Sequence, residues 1–282
     1  MANKNKMKVY LAERAGFCFG VKRAMDIVSE LEGEEDVYTF GPLIHNPQVV
    51  EKLRQKGIKC AENIKDIVKG KVVIRAHGVS PRTIQELKEL KLKIVDATCP
   101  YVKKVHKLTK KLDQEGYQVI ILGEKEHPEV IGIKGNSENA IVIEKLEDIE
   151  SLKSYSKIGL VSQTTQSKDK FKLLSDKLTD YADELKVYNT ICNATEQRQK
   201  TAVKLAKQMD LIIVLGGYNS GNTRRLAELC SKETETVHIE QFSDLDKAIL
   251  DDKEKVGVTA GASTPDYLIE DLIQKLESYT VG

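Results

Sequence analysis

Three of the five cysteines in this chain stand in the same local setting. Cys18 lies in "GFC" ahead of "VKRAMDIVSEL", Cys99 in "ATCP" ahead of "YVKKVHKLTKKL", and Cys192 in "TICNAT" ahead of "EQRQKTAVKLAKQ". Each of those following runs carries apolar residues at helical spacing. A cysteine just before a helix meets the positive end of the helix dipole, which favours the thiolate. Three thiolates brought to one point select a soft metal: zinc, copper(I) or an iron–sulfur cluster. A closed structural site wants four protein ligands, whereas three leave one position open for a substrate. There is no CxxC pair, which argues against a zinc ribbon. A [4Fe-4S] cubane on Cys18, Cys99 and Cys192 with one open iron fits the pattern best. Cys60 in "GIKCAEN" and Cys230 in "LAELCSK" have no His, Asp or second Cys at ligand spacing and are assigned to packing.

The polar residues suggest what meets that open position. His45, His77 and His127 all fall on loops between a strand pattern and a helix pattern. With Ser220, Asn222 and Ser263 they make a set of donors that, beside helix N-termini, suits a diphosphate. Glu129 follows His127 in "EHPEV"; a carboxylate in a dry cavity has a raised pKa and can serve as a proton donor. "SQTTQS" adds Thr164 and Thr165, hydroxyls able to relay a proton or hold a substrate OH, while Ser167 reads as a helix cap. His106 in a helix pattern and His238 in a strand pattern read as ordinary packed histidines.

The elements that must position these residues follow from the alternation of short β-branched runs with amphipathic stretches. "KVYLA", "DVYTF", "KVVIRA", "KIVDA", "YQVIIL", "AIVIE", "KIGLVS", "DLIIVL", "TVHIE" and "KVGVTA" are the strand candidates, and the rhythm is that of an α/β protein with mostly parallel sheets. After each cysteine's helix come a strand and a glycine, Gly41, Gly123 or Gly216, and four residues beyond it His45, His127 or Ser220. A second strand then runs into "VIRAHGVSP", "GLVSQTTQS" or "GVTAGASTP". The third copy lacks a closing strand, which "KVYLA" can supply. The expectation is three similar α/β units in a pseudo-threefold ring around a central cluster: residues 13–98, 99–191, and 192–282 completed by the N-terminal strand 1–12.

Composition narrows the function classes. Lys and Arg total 44 against 43 Asp and Glu, a net charge of +1, so nucleic acid or a membrane surface is not the expected partner. No apolar run approaches the roughly 20 residues of a membrane span. "MANKNKMKVYLAERAG" lacks a signal peptide's apolar stretch, so a cytoplasmic protein is expected. "GGYNSGN" has the wrong spacing for GxGxxG and there is no GxxxxGK[ST], so electrons for any redox step come from outside.

Taken in order, "GFCFGV.RA", "HN..VV", "AHGV", "DATCP.V.KVH", "HPEV.G", "SQTT.S", "ICNAT..RQ", "N.GNT.RL" and "GVTAGASTPD" resemble the 4-hydroxy-3-methylbut-2-enyl diphosphate reductase family, the last enzymes of the non-mevalonate isoprenoid pathway, over about residues 10–276. The resemblance implies three α/β domains around an iron–sulfur cluster on Cys18, Cys99 and Cys192, with the substrate hydroxyl on the open iron. It implies that Glu129 passes protons, with Thr164 and His127 assisting, while His45, His77, His127, Ser220, Asn222 and Ser263 hold the diphosphate. Two electrons and two protons would remove the hydroxyl as water and give isopentenyl and dimethylallyl diphosphates. The implied electron donor is an external protein of ferredoxin or flavodoxin type, and a monomer or weak homodimer is expected. One departure is visible: the family often has Ser-Ser-Asn where this chain has Ser220-Gly221-Asn222, though a glycine N–H can replace that hydroxyl toward an anion. Two rivals differ in class. A non-enzymatic iron–sulfur redox sensor or electron carrier needs no donor set or buried acid, and a zinc hydrolase would be colourless.

Overall fold

The computed structural model describes residues 7–279; the first six residues of the expected 1–12 segment, and residues 280–282, lie outside it. In chain order the strands are β1 (Lys8–Leu11), β2 (Val37–Phe40), β3 (Lys59–Ala61), β4 (Lys71–Ile74), β5 (Lys93–Asp96), β6 (Gln118–Leu122), β7 (Ile141–Ile143), β8 (Tyr155–Ser162), β9 (Ala182–Val187), β10 (Leu211–Leu215), β11 (Glu235–Ile239) and β12 (Lys255–Ala260). The α-helices are α1 (Phe19–Ser29), α2 (Pro47–Gln55), α3 (Pro81–Glu89), α4 (Pro100–Gln114), α5 (Pro128–Lys134), α6 (Lys168–Leu178), α7 (Asn193–Ala206), α8 (Gly221–Cys230) and α9 (Asp266–Ser278).

The strands form three four-stranded sheets, in the orders β3-β2-β4-β5, β7-β6-β8-β9 and β11-β10-β12-β1. Every pairing is parallel. The three orders are one topology repeated, with β1 in the place that β5 and β9 take in the other two. Its register runs from Lys8 opposite Lys255 to Leu11 opposite Val258. Ten of the twelve strands match the apolar runs quoted from the sequence. The other two, β3 around Cys60 and β9 in the closing place before Cys192, are edge strands with exposed, charged stretches ("KCA", "ADELKV"), where one-sided burial leaves a weaker apolar run to read.

The described chain divides into two compact units, one of residues 7–19, 45–47 and 193–279, the other of residues 20–44 and 48–192. The first carries one sheet, covered on both faces. Leu211, Ile213 and Leu215 of β10 point toward Ile269, Leu272 and Leu276 of α9, while Ile212 and Val214 meet Ala202 and Ala206 of α7 and Leu226 and Cys230 of α8. A strand buried on both faces is a continuous apolar run, as "LIIVL" is. Each fully buried Leu or Ile contributes about 1.5–3 kcal/mol.

The second unit carries the other two sheets. Ile120, Leu122, Ile158 and Leu160 pack on Phe171, Leu174 and Leu178 of α6, and Val119, Ile121 and Val161 on Val105 and Leu112 of α4 and Val130 and Ile133 of α5. In the other sheet Val72 and Ile74 pack with Ala61, Ile67 and Leu87 of α3. Among the described residues no helix is long and apolar enough to cross a membrane.

Candidate active site

Each cysteine singled out by spacing is the residue immediately before a helix: Cys18 before α1, Cys99 before α4, Cys192 before α7. All three backbones are hooked the same way. The N–H of Cys18 donates to the carbonyl of Ala262 (3.1 Å), that of Cys99 to Ala76 (3.0 Å) and that of Cys192 to Thr164 (3.0 Å). Ala76, Thr164 and Ala262 are each the second residue past the end of a corresponding strand: β4, β8 and β12. The three thiols are half-buried and none is in a disulfide. Soft donors of this kind, each fixed by its backbone at a helix start, fit a thiolate-bound iron–sulfur group.

A second hook repeats as well. Gly41, Gly123 and Gly216 follow β2, β6 and β10, and their N–H groups donate to Ala61 (2.8 Å), Ile143 (3.0 Å) and Ile239 (2.9 Å). The turn then runs toward the next helix, so polar side chains at this end of the sheet meet helix N-termini.

In the second unit, that turn delivers an acid. His127 caps α5, its Nδ1 accepting from the N–H of Glu129 (3.1 Å), which places the ring proton on Nε2 when the imidazole is neutral. Glu129 is 2% exposed. Its Oε1 accepts from the backbone N–H of Thr164 (2.6 Å) and its Oε2 from the Thr164 hydroxyl (3.0 Å). Burial pushes the carboxyl up to about 7, against the pull of those two bonds. A proton donor poised near neutrality is what general acid catalysis needs. Thr164 therefore joins two functions: its N–H and hydroxyl hold the acid while its carbonyl holds Cys192. His77, on the loop after β4, lies with its ring 5.5 Å from that of His127 and nearly perpendicular to it.

Two residues in this region escaped the sequence reading. Thr190 staples the segment leading to Cys192 onto the end of β8: its hydroxyl accepts from Ser162 N–H and lies within bonding distance of Ser162 O, each at 2.7 Å. Gln163 accepts from Glu124 N–H (3.1 Å) and steadies the turn before His127. Gln163 lies in "SQTTQS" and Thr190 in "TICNAT", but their bonds join residues far apart in the chain and no local pattern announces the partners. His106 lies in α4 against Gly78 and Gly132, and burial pushes its pKa down to about 4.

In the first unit the equivalent turn, after β10, is built for close approach. Gly216 has φ +146, and a Cβ on Gly217 would stand 2.6 Å from the carbonyl of His45. The Ser263 hydroxyl donates to that same carbonyl (3.0 Å), so Ser263 steadies the His45 segment. Ser220 caps α8, accepting from Thr223 N–H (3.3 Å), and keeps its own proton to give. Gly221 opens α8 and is buried. Asn222 is 3% exposed, and neither atom of its amide has a partner among the described residues. An unpaired buried amide costs stability unless something else completes it. His238 is held on β11, its Nε2 2.8 Å from Gly216 O and its ring 4.7 Å from that of Tyr218.

The two cysteines assigned to packing part company. Cys230 is fully buried. Cys60 is exposed, because it sits on the edge strand β3 and its thiol turns toward Glu62 rather than the core.

The fold and these residues define a parallel α/β protein with a thrice-repeated cysteine hook, a buried acid and polar side chains near helix starts past the carboxyl ends of its strands. The model of the LytB protein family matches residues 9–277, and the chain belongs to that family. It is 44% identical over 273 residues to the 4-hydroxy-3-methylbut-2-enyl diphosphate reductase of Pelobacter propionicus, covering 96% of this chain and 98% of that one. To the protein of the same name from Aquifex aeolicus it is 44% identical over 282 residues, covering 97% of each. Among solved structures, the E-1-hydroxy-2-methyl-but-2-enyl-4-diphosphate reductase of Plasmodium falciparum superposes with a TM-score of 0.91 at 31% identity, over 96% of this chain and 88% of that one.

Proposed function

We propose that this chain is an iron–sulfur oxidoreductase that converts 4-hydroxy-3-methylbut-2-enyl diphosphate to isopentenyl and dimethylallyl diphosphates, using two electrons and two protons and releasing water. The observation that carries the reading is the identical backbone hook on Cys18, Cys99 and Cys192, which singles out these three thiols from the five. They hold a [4Fe-4S] cluster with one open iron, which when bound supplies electrons and a Lewis-acid position for the substrate hydroxyl.

The other roles belong to the side chains. Glu129, protonated below about pH 7, stores the proton that leaves with the hydroxyl as water, and Thr164 fixes its direction. His127 orients Glu129 through the Nδ1 bond to its backbone. His45, His77, His127, Ser220, Asn222 and Ser263 hold the diphosphate, and the Gly221 N–H stands where relatives offer a second serine. Binding energy from the diphosphate fixes the reacting end of a small substrate. The electron donor is an external protein of ferredoxin or flavodoxin type, and the enzyme works in the cytoplasm as a monomer or weak dimer. Three similar units, 13–98, 99–191 and 192–282 with strand 1–12, supply one cysteine each.

The test is anaerobic reoxidation of a reduced low-potential dye on adding the hydroxylated allylic diphosphate. Rapid reoxidation, lost in Cys99→Ser and Glu129→Gln, is the expected result. A protein with its full iron–sulfur complement that does not reoxidise the dye would instead be a sensor or carrier.

A further inference from the structure

We infer that Arg198 is a positioning residue for Cys18: its guanidinium holds the turn between β1 and α1 by the carbonyl of Gly16, two residues ahead of the thiol. Arg198 lies on α7, is 5% exposed, and is the sole buried lysine or arginine among the described residues. One of its terminal nitrogens donates to Gly16 O at 2.5 Å, a bond between residues 182 positions apart.

The turn it holds depends on a glycine. Gly16 has φ +90, a conformation open to glycine and strained for other residues, and a Cβ there would stand 2.7 Å from Asp266 Oδ1. The Cys18 N–H is itself tied to Ala262 O. Two bonds therefore fix the approach to Cys18: the guanidinium on Gly16 O and, one peptide further on, the Cys18 N–H on Ala262 O. Burying a guanidinium is expensive, and an apolar side chain of similar volume would serve the core at least as well. What an apolar side chain cannot do is take hold of a carbonyl. The guanidinium keeps its charge at any physiological pH, so the clamp does not loosen with protonation. α7 begins directly after Cys192, so the same helix that follows one cysteine sets the approach to another.

The inference rests on the reading of Cys18 as a cluster ligand only for its consequence, not for its test. In the cluster-free full-length chain, alkylation of Cys18 by iodoacetamide is timed by mass spectrometry, with Cys99 and Cys192 as internal standards. Arg198→Gln is expected to speed Cys18 modification about tenfold, the effect of losing one charge-assisted hydrogen bond, and to leave the two standards unchanged. Arg198→Lys, which can still donate to the carbonyl, restores most of the difference. Gly16→Ala disturbs the other partner without touching α7 and is expected to give the same Cys18-specific rise, so the question is answered even if Arg198→Gln does not fold. In cluster-loaded protein the same variants are expected to lose iron to a chelator faster than the parent. Unchanged Cys18 modification in a folded variant, or equal acceleration of all three cysteines, would overturn the inference. A parent chain that binds no cluster yet gives the Cys18-specific rise would defeat the reductase reading and leave the positioning role standing.

Discussion

Glu129 and Asn222 occupy the same place in two copies of one turn. Each lies six residues beyond the glycine that follows a central strand, and two beyond a side chain that caps the next helix, His127 in one copy and Ser220 in the other. Their surroundings differ. Both oxygens of Glu129 are taken by Thr164, whereas the amide of Asn222 has no partner among the described residues. The residue that corresponds to Thr164 after β12 is Ala262, which has no hydroxyl to offer. One scaffold thus carries an internally satisfied buried acid in one copy and an unpartnered buried amide in the other, the difference that the proposed roles of proton store and ligand contact rest on. The partner two residues past the neighbouring strand decides which.

The sharpest way to break the comparison is to remove the acid. Glu129→Gln is expected to keep the fold and to lower turnover by about 10² or more, measured as anaerobic dye reoxidation. The same variant tests the charge. Because burial raises the Glu129 pKa from 4.5 to about 7, its folding contribution is full below pH 4.5 and is lost as pH rises through about 7. The loss amounts to about 3 kcal/mol, at about 1.36 kcal/mol per pKa unit. Urea unfolding should find Glu129→Gln more stable than the parent by about that much at pH 8, with the advantage shrinking as pH falls toward 4.5.

On the open side, Asn222→Ala is expected to raise KM for the diphosphate substrate about tenfold with a smaller change in kcat, as for one lost hydrogen bond to a charged group. Its melting temperature should hold or rise, since the change removes an uncompensated buried amide; a clear fall would mean the amide is satisfied within the protein. Thr164→Ala makes the first copy resemble the second at this position. It leaves the backbone bond in place, and the descending limb of kcat/KM against pH should move to higher pH as the carboxyl loses one stabilising donor. The smallest effect is expected of Ala262→Thr, which offers the missing hydroxyl near Asn222; a KM rise of about two- to threefold, at unchanged kcat, would support the comparison.

Much of this was legible in the sequence, because it rests on local pattern. Apolar runs gave the strands buried on both faces, and the recurrence of Cys18, Cys99 and Cys192 before helices pointed to one topology repeated. The acid in "EHPEV" and the donor in "SQTT" were visible as residue types. What stayed hidden depends on contacts between distant segments. The bond from the Ser263 hydroxyl to the carbonyl of His45 joins residues 218 positions apart, and no local pattern announces it. Thr164 reads as a relay, yet its carbonyl also anchors Cys192. Cys60 reads as a packed thiol because its segment has a strand's composition, and only the strand order makes β3 an edge with that thiol outside.

The pairing of β1 with β12 bears on how the chain comes to be made. Lys8 finds its neighbour at Lys255, so β1 can pair only once β12, far later in the sequence, has been made. The other two sheets close within their own stretches of sequence and can form while synthesis continues. The sheet holding β1 and β12 pays the entropy of a loop spanning most of the polypeptide, and contacts of such long range form slowly. Cys18, between β1 and α1, comes into register only at that final step. Maturation would then run in one direction, with two finished sheets waiting for the third to zip.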